Sequence, residues 1–89
     1  RQVGRVPAHG MKIYLFATLR DRARTRAIEV TLDKPTTVAE LRKIIAAQHA
    51  TLAELLPQAL VAVNQEFAFD EDAVGPENEV ALFPPVSGG

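Results

Sequence analysis

The end of the sequence, from Pro84 to Gly89, holds the residues best suited to present a reactive group. Glycine has no Cβ, so Gly88 and Gly89 can pass through a narrow channel and leave a terminal carboxylate unhindered. Proline fixes φ and donates no hydrogen bond, so Pro84 and Pro85 favour an extended path away from a sheet. Six extended residues reach roughly 18–20 Å. Small terminal residues are also common where a chain frays, so an incidental tail is the alternative. The pattern predicts a segment that threads a channel and presents its carboxylate to another protein's active site: Pro84, Pro85, Val86, Ser87, Gly88 and Gly89.

The remaining residue patterns argue against catalysis or ligand binding by side chains. The sequence has no cysteine and no glycine-rich phosphate loop, so neither thiolate chemistry nor ATP binding by this chain is expected. A lone His49 near a helix end is typical of a surface or capping residue. The run from Asp70 to Asp72 lacks the spaced ligands and turning glycine of a calcium loop, so no metal and no bound cofactor is expected. Ser87 has no nearby base in the sequence, which leaves the Gly89 carboxylate as the group placed for chemistry.

Composition indicates one small globular domain, with the cytoplasm as the expected location. The chain has 89 residues, of which 47% are hydrophobic and 24% charged. No apolar run approaches the roughly 20 residues that span a bilayer, so no membrane association is expected. Residues 1–10 show no periodicity, and Met11 opens the first hydrophobic run. We expect residues 1–10 to be a leader or an added, disordered extension.

Charge is unevenly distributed, although the formal net charge is only −1. All ten Lys and Arg residues lie within residues 1–43, whereas seven of the eleven acidic residues lie within residues 44–89. A basic run in the link between two strand-like segments consists of Arg20, Arg22, Arg24 and Arg26. A binder of single-stranded nucleic acid would interleave aromatic residues with these arginines, and this run has none. A solvated loop is therefore favoured, a rim for an acidic partner is the alternative, and no nucleic-acid binding is expected.

Hydrophobic periodicity predicts a hairpin followed by one main helix. Residues 12–18 and 27–33 alternate between two faces, and a loop of about eight residues joins them. Thr37 and Glu40 match a capping box. Apolar residues at helical spacing then predict a helix to about Ala50, with Arg42 facing water.

Three short strands are predicted after the helix. They cover residues 60–63, residues 67–69 beyond a turn at Asn64-Gln65, and residues 79–83 beyond an acidic loop. This order predicts an α+β fold of the β-grasp, or ubiquitin-like, type, with about four or five strands in a mixed sheet and one helix on one face. The last strand should lie beside the first. The domain would then cover residues 11–83, followed by an extended tail at residues 84–89.

Outward-facing apolar residues on neighbouring strands form a candidate interface beside the tail. Period-two alternation places them on the sheet face away from the helix. A contiguous exposed apolar patch usually marks a partner site. The alternative is that several of them close a second small core under the loops. The candidates are Tyr14, Phe16, Leu60, Ala62, Ala81 and Phe83.

The C-terminal motif resembles that of a known family. The run from Phe83 to Gly89, FPPVSGG, is similar to the ending of molybdopterin synthase small subunits, the MoaD-type ubiquitin-like sulfur carriers of the MoaD/ThiS family. The resemblance covers about residues 11–89. Where the family usually has a Gly-Asp turn before the last strand, this chain has Glu77-Asn78, and because Asn tolerates turn conformations we expect a reshaped turn. Further matching segments are Phe16-Ala17, Leu19-Arg20, Ala62-Val63-Asn64 and Glu79 to Phe83.

The resemblance implies that other proteins charge and discharge the terminal glycine. A terminal carboxylate is ionised at neutral pH and is a poor electrophile. In this family a separate adenylating, E1-like enzyme uses ATP to form an acyl-adenylate on that glycine, and a sulfur donor system displaces AMP to leave a thiocarboxylate. Gly89 would then donate sulfur to a cyclic pyranopterin phosphate inside the synthase large subunit, which carries the catalytic residues. The isolated chain is expected to catalyse nothing.

Three other functions stay open at this point. The chain can be a ubiquitin-like modifier that is conjugated to lysines of target proteins through Gly89. It can carry sulfur for thiazole, cysteine or tRNA thiolation. It can also be a plain binding domain whose tail is incidental.

Overall fold

A five-stranded mixed sheet and one main helix form the domain. The computed structural model of the protein describes residues 10–85. In chain order the elements are β1 Gly10–Leu15, α1 Thr18–Ala23, β2 Ala27–Thr31, β3 Thr36–Thr37, α2 Val38–Gln48, β4 Leu60–Val63, β5 Glu66–Ala68, β6 Ala73–Val74 and β7 Val80–Phe83, with 3₁₀ helices at Ala50–Leu52 and Leu56–Gln58. The sheet order is β2-β1-β7-β4-β5, in which β1 and β7 are parallel and the other neighbours are antiparallel. The β-grasp prediction is therefore confirmed, including the place of the last strand beside the first.

The core lies between one face of the sheet and α2. Along β1 and β7, buried residues alternate with more exposed ones. Ile13 and Leu82 from the sheet are 0% exposed, and Leu41 from α2 is 1% exposed. Because Val38, Leu41 and Ile45 recur at helical spacing, α2 buries one apolar stripe. This packing holds β7, which leads to the predicted tail, at the centre of the sheet.

Helix α2 begins at the predicted cap and ends two residues earlier than expected. Oγ1 of Thr37 accepts a hydrogen bond from the Glu40 N–H at 3.2 Å. The Glu40 carboxylate pairs with the lysine three residues on, at 3.4 Å, in place of the expected return to the Thr37 amide. The helix stops at Gln48 because His49 leaves the helical region, with φ −134° and ψ 79°. Nε2 of His49 instead lies 2.8 Å from the carbonyl oxygen of Glu29 in β2. Neither helix within residues 10–85 has both the length and the apolar character that crossing a bilayer requires.

The link between β1 and β2 contains a helix where an irregular loop was expected. Strand β1 stops at Leu15, and Ala17, with φ 55° and ψ −125°, turns the chain into α1. Arg24 ends α1 in the left-handed conformation, and its N–H donates to the carbonyl oxygen of Arg20 at 2.8 Å. Leu19 is the buried residue of α1. With one buried position in six residues, no hydrophobic period was visible in the sequence.

Arg42 does not face water as expected, and the structure corrects that prediction. Its side chain is 19% exposed. Its guanidinium donates to the carbonyl oxygens of Leu56 at 2.6 Å and Ala59 at 2.7 Å, and to the Asp70 carboxylate at 3.0 Å. A long arginine stem can cover apolar surface while its head satisfies several acceptors at once. Arg42 therefore ties the segment that leads into β4 to helix α2.

The predicted acidic loop before β7 is partly ordered by pairing. It contains the two-residue strand β6, which pairs antiparallel with β3. Its last turn is closed by Asn78, whose Oδ1 accepts from the Gly75 N–H at 2.6 Å and whose N–H donates to the Gly75 carbonyl oxygen at 3.0 Å. A turn is therefore present at Glu77-Asn78, and it leads the chain to the start of β7.

Candidate functional site

The sheet face opposite α2 carries an apolar groove of about 370 Å³. Outward-facing residues of β1, β7, β4 and β5 form it, because the strand order sets these four strands side by side. The structure thus brings five of the six residues of the predicted patch into one groove. Its lining residues are Tyr14, Phe16, Ala62, Gln65, Phe67, Glu79, Ala81 and Phe83.

Three phenylalanine rings in this groove contact one another. The rings of Phe16 and Phe83 stack with their centroids 4.6 Å apart and their planes 4° from parallel. Phe67 meets Phe83 edge to face, with centroids 5.9 Å apart and an angle of 65° between the planes. Aromatic pairs of this kind contribute about 0.5–1.5 kcal/mol beyond the area they bury. Phe83, the last residue of β7, is therefore held by rings from two other segments.

Two residues of the predicted patch are placed differently from the expectation. Ala62 is only 7% exposed, so it forms the floor of the groove and is not an exposed contact. Leu60 is the register partner of Phe83 and shares its face, but it lines a neighbouring depression of about 530 Å³ together with Phe67 and Phe69. The apolar face therefore extends past the groove toward β5.

Phe67 is the main groove residue that sequence reasoning missed. It is the register partner of Ala62 in the β4–β5 hairpin, so both project from the same face. It is 69% exposed, compared with 41% for Phe16. The signal was present in the sequence: Asn64 and Gln65, with φ of 52° and 71°, form a two-residue hairpin turn. Counting outward from that turn places Phe67 opposite Ala62.

The predicted tail leaves from the middle of this face. Strand β7 ends at Phe83 between β1 and β4, after which Pro84 is half-buried and Pro85 is exposed. Because neither proline has an N–H, neither can donate to a continued ladder. The other predicted tail residues lie outside the described residues, so their threading role and the reactive carboxylate stay predictions: Val86, Ser87, Gly88 and Gly89.

The chemistry of the groove suits an apolar protein surface. Within residues 10–85, its polar lining side chains are those of Tyr14, Gln65 and Glu79. The Glu79 N–H donates to Oδ1 of Asn64 at 2.9 Å, which ties the β4–β5 turn to the start of β7. The described part of the chain holds no group of three His, Cys, Asp or Glu side chains placed for a metal ion. An apolar floor with aromatic walls and a polar end is typical of the buried centre of a protein interface.

Together, the fold and this groove define a ubiquitin-like β-grasp scaffold with an aromatic face at the base of its C-terminal segment. The chain belongs to the ThiS family, whose model matches residues 13–89. The resemblance on which the sequence-based prediction rested is therefore confirmed at the level of the family.

Individual relatives cover almost the whole domain. The molybdopterin synthase sulfur carrier subunit of Escherichia coli is 41% identical over 81 residues, which are 89% of this chain and 99% of that protein. Small archaeal modifier protein 1 of Haloferax volcanii is 34% identical over 87 residues, and its crystal structure superposes with a TM-score of 0.73 over 90% of this chain and 99% of that one. A Helicobacter pylori complex of subunits 1 and 2 of molybdopterin-converting factor contains a chain that matches with a TM-score of 0.59 at 20% identity, over 90% of this chain and 99% of that one, which concerns the fold alone.

Proposed function

We propose that this protein is the sulfur carrier subunit of a molybdopterin synthase and acts in the cytoplasm. The observation that carries the proposal is the 41% identity to the E. coli sulfur carrier subunit, over 99% of that protein's length. The family match supports it, since that match runs to residue 89 and includes the terminal glycine pair. The groove beside β7 supports a role that depends on docking to other proteins.

In the proposed reaction the Gly89 carboxylate is first activated and then loaded with sulfur. A carboxylate oxygen attacks the α-phosphorus of ATP in an adenylating partner, and pyrophosphate leaves. Hydrosulfide supplied by a donor system then attacks the acyl carbon, and AMP leaves with the electron pair of the broken C–O bond. The product is a thiocarboxylate on Gly89. This chain supplies the acyl group, while ATP binding and catalysis belong to the partner.

Sulfur transfer then takes place in a complex with the synthase large subunit. The thiocarboxylate sulfur attacks an oxygen-bearing carbon of the cyclic pyranopterin phosphate, and that oxygen leaves with the electron pair of the broken C–O bond, as water or on the phosphate. Water then attacks the acyl carbon and breaks its bond to sulfur, which leaves the sulfur on the precursor as a thiolate and restores the Gly89 carboxylate. A dithiolene has two sulfur atoms, so two charged carriers are consumed for each product. This chain's part is positional: the apolar groove binds the partner, and the prolines after Phe83 direct the remaining residues toward the partner's active site.

The decisive experiment loads the chain with the adenylating enzyme of the same organism, ATP and a sulfur source. Intact mass spectrometry should show the mass gain of one oxygen replaced by one sulfur, located on the C-terminal peptide. The loaded protein, mixed with the large subunit and the pyranopterin precursor, should yield molybdopterin. Deletion of Gly89 should abolish both results and leave the thermal unfolding midpoint unchanged, because the core is built from other residues. A loaded carrier that yields no molybdopterin with its own large subunit contradicts the proposal.

A second candidate function, conjugation to other proteins through Gly89, is favoured by one observation. The chain is 34% identical to small archaeal modifier protein 1 and superposes on its crystal structure with a TM-score of 0.73. The same loading reaction in a cell extract separates the two, because a modifier forms isopeptide adducts of higher mass on lysines of target proteins. A carrier for thiazole, cysteine or tRNA thiolation would form the thiocarboxylate but would not restore molybdopterin synthesis.

A further inference from the structure

A cluster of arginines lies at the same end of the sheet as the root of the tail. Strands β1 and β7 are parallel, so the helix that follows β1 starts where β7 ends. The Phe16 N–H donates to the Leu82 carbonyl oxygen at 3.2 Å, and α1 begins two residues later. The Leu15 N–H donates to the carbonyl oxygen of Arg26 at 2.8 Å, and Leu15 is the register partner of Leu82. At about 4.8 Å per strand, the Arg26 backbone is roughly 10 Å from that of β7.

The positive charge of this cluster is largely unpaired. Residues 20–26 hold four arginines and one acid, Asp21. Among residues 10–85, Arg22 has a carboxylate partner, Glu54 at 3.4 Å, whereas no carboxylate lies within 4.0 Å of the guanidinium groups of Arg24 and Arg26. Both of these side chains are exposed. The cluster therefore presents a net positive surface at the end of the sheet where β7 stops.

Arg24 occupies a position where glycine is the more stable residue. Its φ of 62° and ψ of 32° are left-handed, and it caps the C-terminus of α1. A left-handed residue with a Cβ is strained relative to glycine at such a cap. The arginine side chain is thus present at a conformational cost, which is the kind of site where a side chain serves binding.

We infer that Arg24 and Arg26 form a docking contact for an acidic protein surface that borders the channel in which the partner receives the tail. This inference rests on the proposed function. Continuity supports it, because Phe16, which stacks on Phe83 in the groove, directly precedes the turn into α1. The partner that receives the tail must approach the end of the sheet where β7 stops, and these arginines lie at that end. Opposite charge there accelerates docking and sets the orientation of the carrier.

The observations favour a protein over the other anions that arginines bind. Six extended residues reach roughly 18–20 Å, so a nucleotide or phosphate at the tip of an extended tail lies out of reach of side chains at its root. Nucleic acid is less suited, since no aromatic side chain lies between the arginines to stack on a base. An acidic protein surface around the entrance of the partner's channel would lie within reach of the arginines and would carry the opposite charge.

The test compares association rates of two charge-matched double variants. One replaces the arginines, Arg24→Glu with Arg26→Glu. The control, Lys34→Glu with Lys43→Glu, changes the net charge equally at exposed sites away from the tail root, in the β2–β3 loop and on α2. The probe is the molybdopterin synthase large subunit of the same organism, and stopped-flow fluorescence gives kon and koff. Circular dichroism checks that each variant is folded.

The arginine variant should associate about tenfold more slowly than wild type at low salt, and the kon values of the two proteins should become equal at about 1 M salt. The koff of the variant should differ little from that of wild type. The control should stay within about twofold of wild type. Restoring the charge with Arg24→Lys and Arg26→Lys should recover most of the rate. Equal kon for the arginine variant and the control overturns the inference and leaves the proposed function intact. A wild-type chain that does not bind the large subunit overturns both.

A second arm tests the other class of polyanion. Wild type and the arginine variant are mixed with a fluorescently labelled tRNA pool at about 0.15 M salt, and anisotropy is measured. No binding by either protein is the expected result. Micromolar binding that the arginine variant loses would assign the cluster to nucleic acid and overturn the inference.

Discussion

The side-chain amide of Gln48 is hydrogen-bonded to both backbone groups of Thr31. The Thr31 N–H donates to Oε1 at 3.0 Å, and Nε2 donates to the Thr31 carbonyl oxygen at 3.2 Å. Thr31 is the last residue of β2, an edge strand, so Gln48 occupies the place that a neighbouring strand would take. His49 covers the Glu29 carbonyl oxygen on the same edge. The end of α2 thus protects this edge from pairing with other chains.

Replacing Gln48 should therefore weaken the domain more than its exposure suggests. Gln48→Ala is expected to lower the free energy of unfolding by about 1 kcal/mol, because it removes both hydrogen bonds to Thr31. Urea denaturation followed by circular dichroism measures the change. The matched control is Gln58→Ala, at an exposed residue of the second 3₁₀ helix, which should cost less than about 0.5 kcal/mol. Equal losses in the two variants would show that Gln48 does not support the edge.

Replacing Ala17 with glycine should stabilise the protein. The φ of 55° and ψ of −125° at Ala17 lie where a Cβ is unfavourable. Ala17→Gly removes that strain, and after the entropy gained by the unfolded chain the net gain should be up to about 1 kcal/mol. Thermal and urea unfolding measure it. Ala47→Gly, in α2, should do the opposite and cost about 1 kcal/mol. A destabilised Ala17→Gly variant would contradict the strain at this turn.

Phe67 and Phe69 offer a matched test of the groove. Both rings are strongly exposed, at 69% and 72%, but Phe67 lines the groove and contacts the Phe83 ring. Phe67→Ala is expected to weaken binding to the synthase large subunit at least about tenfold, as loss of an aromatic anchor does. Phe69→Ala should weaken it by less than about threefold, since a contact at the rim contributes little. Isothermal titration calorimetry gives both dissociation constants. If Phe69→Ala weakened binding more than Phe67→Ala, the centre of the interface would lie at the depression beside Leu60 and not at the groove.

Arg42 should contribute more to stability than any exposed ion pair on α2. Arg42→Met removes the guanidinium donor from the Ala59 carbonyl oxygen and from the Leu56 carbonyl oxygen, of which the latter keeps the Ala59 N–H at 3.2 Å. The expected cost is about 1–3 kcal/mol in the free energy of unfolding. The control, Lys43→Met, breaks an exposed pair with Glu40 at 3.4 Å and should cost about 0.5 kcal/mol or less. Chemical denaturation measures both. Similar costs would mean that water replaces the guanidinium at these carbonyls.

The sequence predicted the sheet well because burial in this domain follows simple alternation. Val80 and Leu82 point into the core while Ala81 and Phe83 point outward, as period two requires. The predicted limits of β4 match the structure, and those of β5 and β7 differ by one residue. The N-cap at Thr37 could also be predicted from the sequence, because the residues of the capping pattern, Thr37 and Glu40, lie within one stretch of four residues.

The features that sequence analysis missed depend on contacts between distant segments. Helix α1 follows from Ala17 and one buried leucine, neither of which gives a periodic signal. The burial of Arg42 depends on carbonyl groups 14 and 17 residues away. Stacking of Phe16 on Phe83 needs the parallel β1–β7 register, which local patterns do not specify. Five of the six residues of the predicted patch therefore line one groove, Ala62 is buried on its floor, and their role as a partner interface stays a prediction.

The central position of β7 has a consequence for how partners can recognise this protein. Strands β1 and β2 form one hairpin and β4 and β5 form another, and β7 is the strand that joins the two halves of the sheet. Phe16 comes from one half and Phe67 from the other, and the ring of each contacts the ring of Phe83, which β7 places between them. A misfolded or partly folded molecule therefore lacks the complete surface that a partner would bind. An enzyme that must bind this surface before it acts on the C-terminus would therefore act on correctly folded molecules, and no separate step would be needed to reject the others.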